Sequence, residues 1–180
     1  QRLSREGGHD AARGILTTDT HPKEMAVQLR VDRKPVTVAA MGKGAGMVYP
    51  HMNVSGKKRS TLRGRHATML CFMTTDLNIS KSMLQKAVSY VTDHTFNKLV
   101  IDNDKSTNDS FLALANGRAG NEKITSADHG FQLFQDALLH LGTWMTRSFA
   151  RDGEGVTHVC QVTVKGARSP EDGKKLCDRI

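Results

Sequence analysis

Long apolar runs and paired cysteines are both missing from this sequence. No stretch approaches the roughly 18 consecutive apolar residues that a membrane-spanning helix requires, and the start, QRLSREGGHD, lacks the apolar core of a signal peptide. The three cysteines, Cys71, Cys160 and Cys177, are widely spaced and form no C-x-x-C pair, so neither a disulfide framework nor a zinc site is indicated. We therefore predict a soluble, intracellular protein whose thiols are reduced and mostly buried.

Acidic residues are absent from one basic tract, which carries much of the net charge of +8. The tract, NVSGKKRSTLRGRH at residues 53–66, contributes five positive charges, and without them the net charge falls to +3. Such a cluster is one signal of a nucleic-acid-binding module, which we keep as an alternative interpretation. No aromatic residue is interleaved with these charges, however, and a solvated loop explains them equally well.

Alternating and continuous apolar runs predict the strands. In MAVQLRVDRKPVTVAAM, β-branched residues alternate on both sides of DRKP, which predicts a hairpin with its loop at DRKP. Strand character is also present in RGILTTDT, TMLCFMTTD, KLVID and GVTHVCQVTVKG. The segment SFLALANG fits a strand or a helix by periodicity alone, and both assignments stay open.

Three segments have the spacing or the capping residues of helices. One begins after Ser80 as N-cap and ends near His94. A long amphipathic helix is predicted within SADHGFQLFQDALLHLGTWMTRSFA, and a short one follows Ser169. Helices and strands alternate without a strict βαβ rhythm, and 180 residues suit one domain, so we predict a single α+β domain of layered sheet and helices.

Four polar clusters each stand at the end of an apolar segment, where loops often carry function: TTDTHPKE, GKGAGM, HATM and DGEGVTH. The glycine-rich cluster is not a P-loop, because a glycine follows Lys43 where that motif needs Ser or Thr. The acids of IDNDKSTND lack the spacing of a calcium-binding EF-hand, and the eight histidines form no H-E-x-x-H pair, so no metal site is predicted.

Seven motifs occur in a distinctive order: TTDTHPKE, MGKGAGM, ATML, TTD, FNKLVIDNDKSTND, LANG and DGEGVT. In this order and approximate spacing, the sequence resembles the ornithine acetyltransferase, or glutamate N-acetyltransferase, family of arginine biosynthesis from about Ile15 to the end. The resemblance implies an α+β fold of the N-terminal-nucleophile-like type, incomplete at both ends. Residues 1–67 would then be the end of an α chain and residues 68–180 the start of a β chain.

The resemblance also implies a specific chemistry. Such proteins cut themselves between alanine and threonine, here Ala67 and Thr68, and the freed α-amino group serves as a base for the threonine hydroxyl. Thr68 would take acetyl from N-acetylornithine and pass it to glutamate, without any cofactor. Thr20, Lys43 and Glu154 match the family's substrate-binding positions, together with Thr68 itself.

Two departures from the family pattern affect these expectations. Residues 53–66 are an insertion directly before the scissile bond, either a genuine loop or a non-coding sequence retained in frame. The family's upstream Thr-Gly oxyanion hole and its downstream substrate-binding tail are absent, which implies that these 180 residues are nearly inactive by themselves.

The resemblance also implies how the protein assembles and where it works. Some members of the family use acetyl-CoA as well, and the cut chains would assemble as a heterotetramer, in the cytoplasm or in an organelle matrix.

A related class of enzyme is the closest alternative. Aminopeptidases and amide hydrolases with a self-generated N-terminal threonine or serine share the fold, but they pass the acyl group to water rather than to glutamate. The motifs TTDT, STND and DGEGVT favour the acetyltransferase.

Overall fold

Helices packed on one face of a four-stranded sheet make up the computed structural model, which describes residues 4, 6–54, 68–106 and 108–179. Ala67 and residues 55–66 of the basic tract lie outside the described residues. The elements are, in chain order, α1 (Gly8–Gly14), β1 (Lys23–Val31), β2 (Lys34–Lys43), β3 (Leu70–Thr75), α2 (Lys81–His94), a 3-10 turn (Phe96–Lys98), β4 (Ser110–Ala115), α3 (His129–Arg151) and α4 (Pro170–Cys177). The predicted α+β class is confirmed.

The sheet has the order β1-β2-β3-β4 and mixes two kinds of pairing. β1, β2 and β3 are antiparallel neighbours, whereas β3 and β4 run parallel and are connected through α2. The open segment SFLALANG is therefore a strand over Ser110–Ala115. The predicted hairpin is confirmed, with a tighter turn than DRKP, since Val31 pairs with Lys34 and the two turn residues Asp32 and Arg33 have φ of 49° and 62°.

Helices α2, α3 and α4 are the three predicted ones, whereas α1 is a helix that the sequence analysis does not predict. Ser80 accepts a hydrogen bond from the Met83 amide at the start of α2, and Ser169 accepts one from Asp172 at the start of α4. The apolar face of α3 is buried against the sheet and α2, at Phe131, Phe134, Leu138, Leu141, Met145 and Phe149. Gly142 permits the close approach of α2, because a Cβ there would lie 2.7 Å from Val91 Cγ1.

Three predicted strands are wrong, each because no ladder supports it. RGILTTDT falls on the end of α1 and on bends, where only two adjacent residues are apolar. In KLVID, the Ile101 amide donates a hydrogen bond to Val48 O at 2.9 Å. The amides of Met47 and Val48, which a strand ladder would use, donate instead to the Asp102 carboxylate. GVTHVCQVTVKG pairs with no strand in the described part of the chain, and β-rich composition alone does not hold an unpaired segment in a sheet.

The cysteines are less buried than predicted. Cys71 is fully buried in β3, and burial raises the pKa of its thiol. Cys160 is exposed in the unpaired segment and Cys177 is partly buried at the end of α4, so the prediction of mostly buried thiols is wrong. Among the described residues, no helix is both long enough and apolar enough to cross a bilayer.

A buried ionic cluster joins the segment before β1 to the end of α3. Lys23 is fully buried, and its Nζ contacts Asp19 Oδ1 at 2.7 Å and the carboxylate of Asp152. Asp152 also accepts hydrogen bonds from the amide and hydroxyl of Thr20. Burial raises the pKa of Asp152, but the bonds from Lys23 and Thr20 outweigh burial and hold that pKa below its usual value.

Replacing Lys23 by methionine tests this cluster. We expect Lys23→Met to lower the free energy of unfolding by about 3–5 kcal/mol, because two buried carboxylates lose their cation. Lys34→Met is the matched control, since Lys34 is exposed, and it should change stability by no more than about 0.5 kcal/mol. Denaturant unfolding of the intact protein measures both. Equal midpoints for Lys23→Met and the wild type would contradict the assigned role.

Candidate active site

The backbone of residues 44–48, directly after β2, brings three distant segments together. The Gly44 amide donates to Asp19 Oδ1 at 2.8 Å. The Ala45 carbonyl accepts from the Glu154 amide at 2.8 Å, after the end of α3. The amides of Met47 and Val48 donate to Asp102, in the loop before β4. Motifs that are far apart in sequence thus meet at this end of the sheet.

Thr68 lies two residues before β3, the strand that pairs with the end of β2. Lys43 at the end of β2 pairs with Leu70 at the start of β3. A Cβ on Gly44 would lie 3.3 Å from Met69 Cγ, so the glycine loop packs directly against the residue after Thr68. The GKGAGM and ATML motifs are therefore adjacent in space, as neighbours across the β2–β3 pair.

The Thr68 hydroxyl is hydrogen-bonded to a carboxylate. Thr68 Oγ1 donates to Asp109 Oδ1 at 3.1 Å, and the Met69 amide donates to the same oxygen at 3.1 Å. The second oxygen, Oδ2, is buried and has no hydrogen-bond partner among the described residues. Burial raises the pKa of Asp109 above its ordinary value, although the hydrogen bonds from Thr68 and Met69 oppose the rise.

Lys43 is a buried cation with a neutral neighbour. It is 5% exposed, and its Nζ donates to Thr17 Oγ1 at 3.3 Å. It forms no salt bridge with any carboxylate that the structure describes. A buried positive charge without a countercharge is costly, so this position favours an anionic ligand group.

Glu154 presents an exposed carboxylate beside the glycine loop. A Cβ on Gly46 would lie 2.7 Å from Glu154 Oε1, so any other residue at position 46 would displace the carboxylate from this place. Glu154 follows Asp152 by two residues, and the buried ionic cluster therefore fixes the backbone from which the Glu154 side chain projects.

Thr20 differs from the other sequence-predicted residues, because its hydroxyl is already engaged. It donates to Asp152 and lies 3.0 Å from His21 Nδ1. The structure thus brings Lys43, Thr68 and Glu154 around one loop and connects Thr20 to Glu154 through Asp152. Ala67, the predicted residue before the cut, lies outside the described residues.

Sequence reasoning missed the two roles of the aspartates in this region. From the sequence, Asp109 is considered only as one of the acids of the motif IDNDKSTND, and that motif is tested for a metal site alone. Asp102 in the same motif holds the amides of Met47 and Val48, and the described part of the chain contains no group of three His, Cys, Asp or Glu side chains that could hold a metal. A polar run directly before a strand, here β4, was the available signal for both.

Comparisons with known proteins agree on one family. The family described as ArgJ matches residues 1–180. The "Arginine biosynthesis bifunctional protein ArgJ" of Symbiobacterium thermophilum is 43% identical over 178 residues, and the "Glutamate N-acetyltransferase" of Methanocaldococcus jannaschii is 41% identical over 180 residues. Each alignment covers 99% of this chain and 41% of the relative, so the chain spans less than half the length of these relatives.

A solved structure is also similar. The crystal structure of arginine biosynthesis bifunctional protein argJ from Bacillus halodurans matches with a TM-score of 0.55 and 36% sequence identity. The match covers 59% of this chain and 50% of the crystallised one. With the family match over its whole length and five of the seven motifs gathered at one end of the sheet, this chain belongs to the ArgJ family.

Proposed function

We propose that the protein transfers an acetyl group from N-acetylornithine to glutamate through an acetyl-Thr68 intermediate, in arginine biosynthesis. The observation that carries this proposal is the position of the Thr68 hydroxyl, which is hydrogen-bonded to a carboxylate beside a buried cation and the glycine loop. The names of two relatives, an arginine biosynthesis bifunctional protein and a glutamate N-acetyltransferase, support the same activity.

The nucleophile requires a base, and self-cleavage would supply one. Cutting the chain between Ala67 and Thr68 frees the Thr68 α-amino group, whose unperturbed pKa is about 8. In the transfer reaction this amine accepts the hydroxyl proton as Oγ1 bonds to the acetyl carbon, and ornithine leaves carrying that proton. The glutamate amine then attacks the acetyl ester, N-acetylglutamate departs, and the proton returns to Oγ1.

Two charged side chains suit the two substrates. Lys43, buried without a described carboxylate partner, would bind the α-carboxylate that acetylornithine and glutamate share. Glu154 would bind the ammonium group on the side chain of ornithine, which glutamate lacks. Thr20 would act together with them at the substrate, with its hydroxyl oriented by Asp152.

The proposal includes the organisation of the mature protein. Residues 1–67, with the insertion 53–66, would end an α chain and residues 68–180 would begin a β chain, and the two would assemble as a heterotetramer. The reaction would need no cofactor or metal. Cytoplasm is the proposed location for a bacterial source, and an organelle matrix for a eukaryotic one.

A transfer assay tests the nucleophile. The longest natural form of the protein should convert N-acetylornithine to ornithine rapidly only when glutamate is present, with equal N-acetylglutamate formed. Thr68→Ala should lower kcat by at least about 10⁴-fold, because no hydroxyl remains to carry the acetyl group. Thr74→Ala, which removes an exposed hydroxyl from β3, the strand that follows Thr68, is the matched control and should keep the wild-type rate.

Two results would contradict this proposal. Deacetylation at the same rate without glutamate would indicate the related amide hydrolases instead. Full activity of Thr68→Ala would remove the nucleophile from the mechanism altogether.

The Glu154 assignment makes a prediction about the Michaelis constants. Glu154→Gln should raise the KM for N-acetylornithine about 10- to 100-fold, because the substrate loses the binding free energy of one charge-assisted hydrogen bond. The KM for glutamate should rise far less. Gly46→Ala should give the same pattern, because its Cβ would displace the carboxylate. Gly14→Ala, where a Cβ would meet open space, is the control. An equal rise for both substrates would contradict the assignment.

A further inference from the structure

The first cut cannot use the base that later turnovers use. Until the peptide bond before Thr68 is broken, the Thr68 nitrogen is an amide, which has no lone pair basic enough to accept a hydroxyl proton. A threonine hydroxyl is nevertheless a weak nucleophile unless a neighbouring base takes its proton. The uncut chain therefore needs a second base, within reach of Thr68 Oγ1, that the mature protein does not need for the same purpose.

Asp109 occupies the required position. Its Oδ1 lies 3.1 Å from Thr68 Oγ1, within the roughly 2.6–3.2 Å over which a general base accepts a proton directly. Among the described residues, Asp109 is the titratable side chain to which the Thr68 hydroxyl is hydrogen-bonded. The Met69 amide donates to the same oxygen, and the β3–β4 pairing that begins next to it, at Leu70 and Ser110, fixes the geometry.

The environment of Asp109 increases its basicity. Its Oδ2 is buried and accepts no hydrogen bond from any residue that the structure describes. Burial is the main cause of the raised pKa of Asp109, the hydrogen bonds from Thr68 and Met69 oppose it, and the negative charge of Asp102 adds to it. Asp102 is the charged group of the described residues whose charge acts on the pKa of Asp109.

We propose that Asp109 is the general base of the self-cleavage step, an inference that rests on the proposed function. The Asp109 carboxylate accepts the Thr68 hydroxyl proton as Oγ1 bonds to the carbonyl carbon of Ala67. The carbon–nitrogen bond then breaks, and the proton held by Asp109 passes to the leaving Thr68 nitrogen. An ester between Ala67 and Thr68 Oγ1 remains, which water hydrolyses to a new carboxyl terminus and the free hydroxyl.

The rate of cleavage as a function of pH tests this role. The longest natural form is made in a brief cell-free translation, incubated at chosen pH values between about 4 and 8, and denatured at intervals for intact-mass measurement. We expect the wild-type rate to fall as pH drops through the pKa of Asp109, because only the carboxylate accepts the proton. Asp109→Asn, which keeps an acceptor oxygen but not the base, should cut about 10²- to 10⁴-fold more slowly and lose this pH dependence.

Three further variants keep the result interpretable. Asp104→Asn, an exposed acid in the same loop, should cut at the wild-type rate, and Thr68→Ala should stay uncut. Equal thermal stability of the Asp109→Asn and Thr68→Ala precursors shows that the slow variant is folded. If Asp109→Asn does not fold, Asp109→Glu decides, because it should retain the pH dependence at a reduced rate.

The outcomes separate this inference from the proposed function. A wild-type chain that cuts at one rate across this pH range, or an Asp109→Asn chain that cuts as fast as the wild type, overturns the role of Asp109 alone. A uniform slowing of Asp109→Asn that leaves the pH dependence intact also overturns it, since that is the signature of a purely structural residue. A wild-type chain that never cuts overturns the proposed function and this inference together.

Discussion

Backbone hydrogen bonds of residues 44–48 are the constraint on which the rest of the site depends. Three segments that are remote in sequence each satisfy a backbone group of this loop, through Asp19, Asp102 and the amide of Glu154. Buried backbone groups must be paired, so a displacement of any one segment would leave an amide or a carbonyl unsatisfied. The pairing of Lys43 with Leu70 then places Thr68 beside the same loop.

Two aspartates near this loop show how environment divides identical side chains between different tasks. For Asp152, burial raises the pKa, but Lys23 and Thr20 outweigh it, so the group stays ionised and orders the segment that carries Glu154. For Asp109, burial exceeds the effect of its hydrogen bonds, and the pKa rises. A paired carboxylate suits a structural role, whereas a poorly solvated one with an unpartnered oxygen suits proton transfer.

Local sequence signals predicted helices α2, α3 and α4 and the hairpin, but not α1, because caps, 3.6-residue spacing and alternation act within a few residues of each other. The strand predictions for KLVID and GVTHVCQVTVKG were wrong, because a strand forms only with a partner strand. Beside KLVID, the Asp102 side chain accepts the amide of Val48 that a partner strand would otherwise use, and GVTHVCQVTVKG has no partner strand in the described residues. The order of motifs predicted which residues gather at the site. The Thr68–Asp109 contact spans 41 residues and depends on the parallel β3–β4 register, which periodicity left undecided.

The central claim is that Thr68 becomes the first residue of a second chain. Intact-mass measurement under denaturing conditions, on the longest natural form expressed with residues 53–66 in place, tests it most directly. The account predicts two fragments, one ending at Ala67 and one beginning at Thr68. A single uncut chain, or a second fragment that begins at any other residue, would contradict it.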